Sequence, residues 1–501
     1  MNPTQDTLDL VKTARETPSD AIAKSISTNT GLLAFDLQAP AKNLYPFVTP
    51  LRNSIPRVGG GTGTATNWRQ VSAINGSGYD AMGWVPEGQR SAQMSYVTAT
   101  KSATFVTIGE EDGATYEAIN AGRGFEDIQA RMTFRLLQKM MLKEEMAILG
   151  GNASMQLGTP GTPTLSASGS GATLPATTYY VKVAALTLEG WQNSSLTNGV
   201  ATTKPITGAD GHSYTLSGGS SNISAESSSQ SVSAGNTLFA TVTALQGAVA
   251  YGWFVGTASG AETLQAITTI NSAAFSAPLT AGAQPATAVT ADNSANPSYA
   301  YDGLLTSALK SGSGAYVKTM ATGTAGTGTP LTASGRGSVV EIDTMFQTMW
   351  NNFELSPTVL YVNSQELGNL TTKVLNGSSS PLLRYNEPGD GDAFNITASG
   401  TIGWYYNPYN TANGTQTGLR IPIRLHPRVP PGTIVGWAEQ LPIQYQSSEV
   451  PNVAEVKTRQ DYYEIDWPIV TRQRQVGVYA EEVLAVYAPF AMGVINNIGN
   501  G

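Results

Sequence analysis

Between residues 151 and 300 the chain is nearly free of charge, and this stretch constrains the fold more than any other part of the sequence. It holds seven charged side chains, whereas the other 351 residues carry 57. Short apolar runs at 179–185, 239–243 and 251–255 alternate with turns rich in Gly, Ser, Thr and Asn, and none has a helical period. About 140 residues of this kind predict a β-sandwich, which we place at 158–296.

A disordered Ser/Thr/Gly linker is the alternative for this stretch. Such linkers lack the large apolar side chains that a core needs. Here the aromatic side chains suited to a core are Tyr180, Trp191, Phe239, Trp253 and Phe254. The sandwich is therefore the preferred interpretation.

A long amphipathic helix comes before the charge-poor stretch. Apolar side chains recur at steps of three and four residues from 125 to 149, at Phe125, Ile128, Met132, Leu136 and Met140. At about 1.5 Å per residue such a helix spans roughly 37 Å, and the glycines at 150–151 end it. We interpret the acidic cluster at 110–112 as favourable charge ahead of the helix N-terminus.

Two strands around a long polar tip predict a protruding β-hairpin over residues 60–108. Its second strand, 98–108, shows the alternation of a half-buried strand. A hairpin of this length cannot bury both of its faces within its own chain, so we expect a neighbour to cover it. The glycine run at 59–63 lacks the Gly-Lys ending of a phosphate-binding loop and is interpreted as a hinge at the hairpin base.

After residue 296 the pattern returns to mixed helices and strands. Ser338 and Glu341 predict a capping box at the start of a buried helix that reaches Phe353. The further predicted elements are a strand at 358–362, a helix to 375, a Gly/Ser/Asp loop at 376–400, and strands at 420–425, 433–437, 461–470 and 474–487.

The inventory of reactive side chains is small. There is no cysteine, which excludes disulfides, thiolate metal ligands and cysteine nucleophiles. The two histidines, His212 and His426, lack a neighbouring acid and nucleophile in the sequence and are interpreted as structural. The turn at Asp390 and Asp392 lacks the further ligands of a calcium loop. We therefore predict no enzyme, no cofactor and no bound metal.

The charge balance and the chain ends restrict the partners. With a net charge of −8 and no run of Lys or Arg, the sequence does not predict a surface that grips nucleic acid. The N-terminus has no signal-peptide pattern. The longest apolar stretch near the C-terminus, 483–495, has 13 residues and is too short to span a bilayer. We expect a protein that is made and used in the cytoplasm, away from membranes.

The order of these pieces resembles the major capsid proteins of tailed bacteriophages. The stretches that carry the resemblance are 49–58 as the end of an N-terminal arm, 68–69, 83–88 and 103–105 as an extended loop, 125–149 as a spine helix, 338–375 and 420–437 as an axial domain, and 483–495 as a closing strand. The resemblance implies an α+β capsid fold. The segment 158–296 has no counterpart in the minimal fold and resembles an immunoglobulin-like domain inserted on the outer surface.

The resemblance divides the chain into six segments. They are 1–58, the N-terminal arm; 59–109, the extended loop; 110–157, the peripheral domain with its spine helix; 158–296, the inserted β-sandwich; 297–460, mainly the axial domain; and 461–501, the closing strands of the peripheral domain.

The resemblance also implies a function and a set of partners. Subunits of this kind form pentamers and hexamers of an icosahedral head, which assembles in the host cytoplasm and encloses double-stranded DNA without sequence-specific binding. Portal, scaffolding or decoration proteins are the further partners it implies. The subunit-interface candidates are Arg52, Arg57, Trp68, Trp84, Pro86 and Glu87. Residues 70–100 contain no lysine, so covalent cross-linking through the loop is not expected.

Two other functions fit parts of the sequence. An encapsulin-like nanocompartment shell shares the same fold without DNA. A secreted glycan-binding or hydrolytic β-protein would use the sandwich, but it would need an export signal. Within the capsid interpretation, Trp191 and Trp253 are candidate glycan contacts of the inserted domain, although both also suit its core.

Overall fold

The computed structural model describes residues 44–76, 82–123, 126–334, 337–375, 402–409, 418–441 and 452–500. The predictions for most of the N-terminal arm, the loop at 376–400 and the turn at Asp390 and Asp392 lie outside these residues. The described part mixes helices and strands, as the predicted α+β class requires.

The elements are numbered in chain order. The helices are α1 Pro50–Ser54, α2 Tyr116–Ala121, α3 Ile128–Gly150, α4 Leu188–Asn193, α5 Leu304–Leu309, α6 Val340–Phe353 and α7 Ser364–Leu375. The first strands are β1 Arg57–Val58, β2 Ala65–Asn75, β3 Ser95–Thr104 and β4 Val106–Thr115. Those from 158 to 296 are β5 Thr164–Ser168, β6 Thr178–Leu186, β7 Thr203–Thr207, β8 Ser213–Ser217, β9 Ser220–Ile223, β10 Gln230–Ser231, β11 Thr237–Thr241, β12 Ala250–Gly256, β13 Thr263–Thr268 and β14 Ser272–Phe275. The last are β15 Tyr316–Thr319, β16 Val359–Val362, β17 Trp404–Asn407, β18 Leu419–Leu425, β19 Ile434–Trp437, β20 Ala454–Asp466, β21 Gln473–Val486 and β22 Met492–Asn496.

The long helix α3 packs on a four-stranded sheet of order β1-β20-β21-β4. Asp127 caps the helix by accepting hydrogen bonds from the backbone amides of residues 129 and 130. The apolar stripe found in the sequence faces the sheet, where Met132, Leu136 and Met140 share a core with Val476 and Val478. Phe125, the first residue of the predicted stripe, lies outside the described residues.

The predicted strand at 98–108 is two strands that belong to two sheets. Phe105 lies between β3, which pairs with β2, and β4, which pairs with β21. The acidic cluster at 110–112 lies in the middle of β4, so its predicted role near the helix N-terminus is wrong. Lys143 pairs with Glu110, and Arg135 pairs with Asp112 at 3.2 Å.

The second half of the chain forms a six-stranded sheet of order β15-β22-β19-β16-β18-β17. The four residues of β16 are all buried, and helix α6 packs Met345 and Met349 against the sheet. The predicted capping box is wrong, because α6 begins at Val340 without a side-chain cap. Glu341 instead accepts a hydrogen bond from the Thr332 amide at 3.0 Å.

The predicted closing strand at 483–495 is two strands that belong to two different sheets. Strand β21 ends at Val486 in the four-stranded sheet, and β22 joins the six-stranded sheet between β15 and β19. The Pro489–Ala491 turn separates them. Proline has no amide hydrogen for a sheet ladder, which explains the break.

Residues 158–296 form two sheets that share one core. One has the order β10-β6-β12-β13 with β9 beside β6, and the other has the order β14-β11-β5. Tyr179, Val181 and Trp253 of the first sheet pack with Leu238 and Phe275 of the second. The short β7–β8 hairpin stands apart from both sheets.

This inserted domain is joined to the rest of the chain through buried contacts. Leu188 and Val249 belong to the main core rather than to the core of the inserted sheets. Asn271 and Asn497 bond reciprocally: the Asn497 Oδ1 accepts from the Asn271 amide at 2.8 Å, and its Nδ2 donates to the Asn271 Oδ1 at 3.0 Å. At Gly150 an added Cβ would lie 2.2 Å from Leu188 Cδ2, so only glycine permits this approach of α4 to the end of α3.

Candidate functional site

The β2–β3 hairpin is largely exposed. Eight of the ten residues of β3 are exposed, and within the described residues the two strands pair only with each other. Tyr96 and Val97 are 67% and 49% exposed. Because consecutive strand residues point to opposite faces, the hairpin is uncovered on both sides.

The apolar character continues to the tip of the hairpin. Met82, Trp84 and Met94 are 59%, 90% and 63% exposed. Pro86 and Glu87 are also exposed, within the turn beside Trp84. Of the predicted interface residues, Trp84, Pro86 and Glu87 therefore lie together on a surface open to a partner. Contiguous apolar surface of this kind marks interaction sites in soluble proteins.

The base of the hairpin is fixed to the body of the chain. Trp68 is half-buried, and its ring meets the edge of Tyr487 with centroids 5.3 Å apart. The Gly61 amide donates to the Thr458 carbonyl at 3.0 Å, and Arg459 donates to the Gly63 carbonyl at 2.9 Å. The base of the hairpin is thus bonded to strand β20, and Trp68 belongs to this base rather than to the open surface.

Arg52 and Arg57, the other predicted interface residues, lie in a charge cluster within the chain. Arg52 pairs with Glu144 of α3 at 2.7 Å, and Arg57 pairs with the same carboxylate. Arg57 also pairs with Asp461 at 2.6 Å and with Glu482 at 3.2 Å. The two arginine side chains, 15% and 19% exposed, hold the segment that enters the hairpin against helix α3 and strands β20 and β21.

Tyr462 completes this charge cluster. Its ring lies 5.4 Å from the Arg52 guanidinium and 5.2 Å from that of Arg57, and its hydroxyl donates to Glu144. Burial raises the pKa of the Tyr462 hydroxyl, and it also raises the pKa of the Glu482 carboxyl, which Arg57 in part offsets. The cluster is therefore a desolvated network in which removal of one member leaves its partners unpaired.

Glu145, next to Glu144, joins three separate segments. Its carboxylate accepts from the amides of Leu51 and Arg52 at 3.0 and 2.7 Å, at the start of α1. His426 Nε2 lies 2.6 Å from the same carboxylate, and His426 Nδ1 accepts from the Arg428 amide. This network assigns the proton of a neutral imidazole to Nε2, which donates to Glu145. His426 is thus structural, as the sequence indicated.

Glu144 and Glu145 are not among the residues predicted from the sequence, although the sequence contains a signal for them. They follow Met140 and Met141 by four residues and precede Ile148, so both fall on the buried side of α3. Charged residues on an apolar stripe are buried only with partners. The sequence could have identified two buried carboxylates, but not their partners.

The two candidate glycan contacts, Trp191 and Trp253, do not lie together on the surface. Trp253 is fully buried in the core between the inserted sheets, and its Nε1 donates to Thr268 Oγ1 at 2.8 Å. Trp191, in α4, is half-buried between the main core and the inserted domain. Trp253 therefore has no exposed surface to offer a ligand.

The described residues show little that points to metal or membrane binding. Across the ranges given above, no group of three or more His, Cys, Asp or Glu side chains is suited to a metal ion. No helix within those ranges is long and apolar enough to cross a bilayer. His212 is exposed in the β7–β8 turn, where its Nδ1 lies 3.2 Å from Asp210.

Comparison with known proteins gives matches among solved structures alone. No protein-family model matches the sequence, and no curated protein matches it. The capsid of a native GTA particle is similar over 95% of this chain and 99% of its own, at 8% identity and a TM-score of 0.42. The capsid structure of Mycobacterium phage Bobi covers 96% of this chain and 98% of its own, at 9% identity and a TM-score of 0.41.

An encapsulin is also among the similar structures. The holo-SrpI encapsulin complex from Synechococcus elongatus PCC 7942 covers 96% of this chain and 96% of its own, at 8% identity and a TM-score of 0.38. These structural neighbours are of the class that the sequence resemblance indicated.

Proposed function

We propose that the chain is a structural shell subunit that assembles with copies of itself through the β2–β3 hairpin. The observation that carries the proposal is a hairpin that exposes apolar side chains on both faces while its base is fixed to the body. A two-stranded hairpin gains too little from its own contacts to be stable in water. A neighbour that covers it would supply the missing burial.

A second copy of this chain is the proposed neighbour, and charge supports that choice. The hairpin carries three basic and two acidic side chains, although the whole chain has a net charge of −8. Arg69, Arg90 and Lys101 are exposed and have no ion pair within the described residues. A positive hairpin is attracted to the acidic body of another copy, whereas two positive hairpins repel each other.

The finer parts of the proposal follow the sequence resemblance. We place the subunits in pentamers and hexamers of an icosahedral phage head that encloses double-stranded DNA, with portal, scaffolding or decoration proteins as partners. The acidic balance of the chain supports enclosure of DNA without tight binding. The inserted domain, of the immunoglobulin-like kind, is placed on the outer surface, and its two-sheet core supports a separate role there.

Assembly of the purified chain tests this proposal. Wild type should form rings or closed shells in sedimentation velocity and negative-stain microscopy. Trp84→Ser should shift the population to small species without changing the thermal unfolding of the subunit, because Trp84 is 90% exposed and contributes little to its own fold. The matched control is Leu196→Ser, which removes a 54% exposed apolar side chain from the inserted domain and should assemble like wild type.

Two outcomes would count against the proposal. A chain that stays monomeric under all conditions contradicts self-assembly, and a Trp84→Ser variant that assembles normally contradicts the role of the hairpin. Recovery of shells from expressing cells then distinguishes the two shell types. Shells that never contain DNA, even when phage packaging functions are present, would favour the encapsulin-like alternative.

A further inference from the structure

The four-stranded sheet carries a pair of tyrosines on the face that is turned away from α3. Val478 of β21 packs in the core beneath α3, so the next residue, Tyr479, points to the other face. Tyr463 of β20 stands directly opposite Tyr479. The two rings are nearly parallel, with centroids 5.9 Å apart and 29° between their planes. Both side chains are half-buried, so part of each ring is open to solvent.

Glycines on both strands make room for the Tyr479 ring. An added Cβ would lie 2.3 Å from Tyr479 Cδ1 at Gly109 and 2.5 Å from Tyr479 Cε2 at Gly477. The ring thus lies over the backbone of β4 and β21, in space that a larger residue at either position would fill. An aromatic ring that lies over the backbone in this way leaves its other side free for a partner.

Acidic groups border the two tyrosines. Glu111 of β4 is exposed on the same face, and its carboxylate accepts a hydrogen bond from the Tyr479 hydroxyl. Glu481, also on this face, is already paired with Arg459, whereas Glu111 has no ion pair within the described residues. Burial raises the pKa of the Tyr479 hydroxyl, and the charges of Glu111 and of Asp210, in the β7–β8 turn of the inserted domain, raise it further. The phenol therefore stays neutral at pH 7, and the charge around it is negative.

We propose that the tyrosine surface, formed by Tyr463, Tyr479 and Glu111, receives Arg90 from the β2–β3 hairpin of a second copy of this chain. The inference rests on the proposed function and names the surface that the hairpin contacts. A guanidinium group suits this surface, because it is planar, stacks on aromatic rings and bonds a carboxylate with two parallel donors.

Arg90 is the basic residue of the hairpin that is best placed for this contact. Lys101 stands opposite Trp68 at the base of the hairpin, and Arg69 is the next residue along the same strand. Arg90 instead lies in the exposed tip that also holds Trp84. Because neither Arg90 nor Glu111 has an ion pair within the described part of the chain, the two charges are free to pair between copies. Opposite charge on the tip and on the tyrosine surface favours this contact over a contact between two hairpins.

An exchange of the two charges tests the proposal in the full-length chain. Arg90→Glu and Glu111→Arg should each raise the protein concentration needed for assembly at least about tenfold, because like charges then meet at the contact. The double variant restores an opposite pair, and its assembly concentration should return to within about threefold of the wild-type value. Sedimentation velocity over a concentration series measures assembly, and thermal unfolding shows that each subunit is folded.

Glu464→Arg is the matched control. Glu464 is exposed and stands opposite Val478, so it lies on the face of the same sheet that is turned toward α3. This change alters the net charge as much as Glu111→Arg does, but it leaves the tyrosine surface intact. The variant should therefore assemble at the wild-type concentration.

The other outcomes separate this inference from the proposed function. If wild type assembles and Glu111→Arg assembles equally well, the tyrosine surface is not the contact, although self-assembly stands. An equal defect in Glu464→Arg, or a double variant as defective as the single ones, would also overturn the pairing. Arg90 is exposed, so Arg90→Glu gives a result even if Glu111→Arg fails to fold, and normal assembly of Arg90→Glu contradicts the inference. A wild-type chain that never assembles overturns the proposed function and this inference with it.

Discussion

Glu145 of α3 accepts three hydrogen bonds, which join α3 to two other parts of the chain. Two of the donors are backbone amides at the start of α1, and the third is the buried imidazole of His426. Hydrogen bonds to a buried charged group each contribute about 1.5–3 kcal/mol, more than those between neutral groups. A single side chain therefore fixes the segment that leads into the hairpin.

Glu145→Gln should lower the free energy of unfolding by about 3 kcal/mol. The amide nitrogen of glutamine cannot accept a hydrogen bond, so one of the three donors is left buried and unpaired. Urea unfolding measures the loss, and limited proteolysis should cut the 44–58 segment faster. Glu110→Gln, in strand β4 and partly exposed, is the control and should change stability by less than about 0.5 kcal/mol. Equal effects of the two changes would contradict the assigned role of Glu145.

Glu189 is a second residue whose charge matters, because it has no hydrogen bond or ion pair among the described residues. Burial raises the pKa of its carboxyl from 4.5 to about 7. The folded chain therefore holds this proton more tightly than the unfolded chain between these two pH values. In that window the stability of the fold falls as pH rises. The contribution of the Glu189 proton is fully present below pH 4.5 and is lost as pH rises through about 7.

Glu189→Gln should remove this pH dependence. The variant should be more stable than wild type by about 2 kcal/mol at pH 8 and nearly equal to it near pH 4.5. Urea unfolding across this pH range measures the difference. Glu87→Gln changes an exposed carboxyl and should follow the wild-type profile. Parallel profiles for wild type and Glu189→Gln would show that Glu189 does not titrate in this window.

At the scale of elements, strand β4 shows how backbone and side chain fit together across the sheet. The ring of Tyr479, on the paired strand β21, lies over Gly109, where an added Cβ would be 2.3 Å from Tyr479 Cδ1. Gly113, four residues further along β4, has its nearest neighbour 3.4 Å from such a Cβ. A side chain at position 109 would therefore collide with the Tyr479 ring, whereas position 113 has room for a methyl group.

Gly109→Ala should destabilise the chain by about 2 kcal/mol, because Tyr479 has to leave its place on the sheet. Gly113→Ala is the matched control and should be neutral or slightly stabilising, since alanine restricts the unfolded chain more than glycine. Thermal unfolding measures both. In a Tyr479→Ala background the cost of Gly109→Ala should disappear, and a cost that persists there would contradict the steric explanation.

Elements with a strong local period were predictable from the sequence, and contacts between distant segments were not. The stripe of α3 and the runs that became β6, β11 and β12 lie near their expected positions. Glu144, in contrast, finds Arg52 and Tyr462 at distances of 92 and 318 residues along the chain. No local pattern encodes such a pairing.

At the scale of the whole molecule, the inserted domain is more tightly integrated than its composition indicated. Its ends lie close together, as the Leu157 amide donates to Ser294 Oγ at 2.9 Å. An insertion with adjacent ends is expected to be separable. However, Leu188 and Val249 complete the main core, and Asn271 satisfies Asn497 near the end of β22.

Replacing 158–296 by a short Gly-Ser linker should therefore destabilise the remaining chain, even though the linker can close the gap. Loss of Leu188 and Val249 removes two buried side chains, and loss of Asn271 leaves Oδ1 of the buried Asn497 without its donor. Together these changes cost about 5 kcal/mol, which is comparable to the whole stability of many domains. Thermal unfolding and the soluble fraction after expression measure the effect.

A smaller deletion in the same domain provides the control. Replacing 205–215, the exposed outer part of the β7–β8 hairpin, by a two-residue turn removes none of the buried contacts with the body. That variant should unfold near the wild-type temperature. If the large deletion instead folds with an equally sharp transition at a similar temperature, the inserted domain is separable after all. The buried contacts at Leu188, Val249 and Asn271 would then contribute little to the stability of the body.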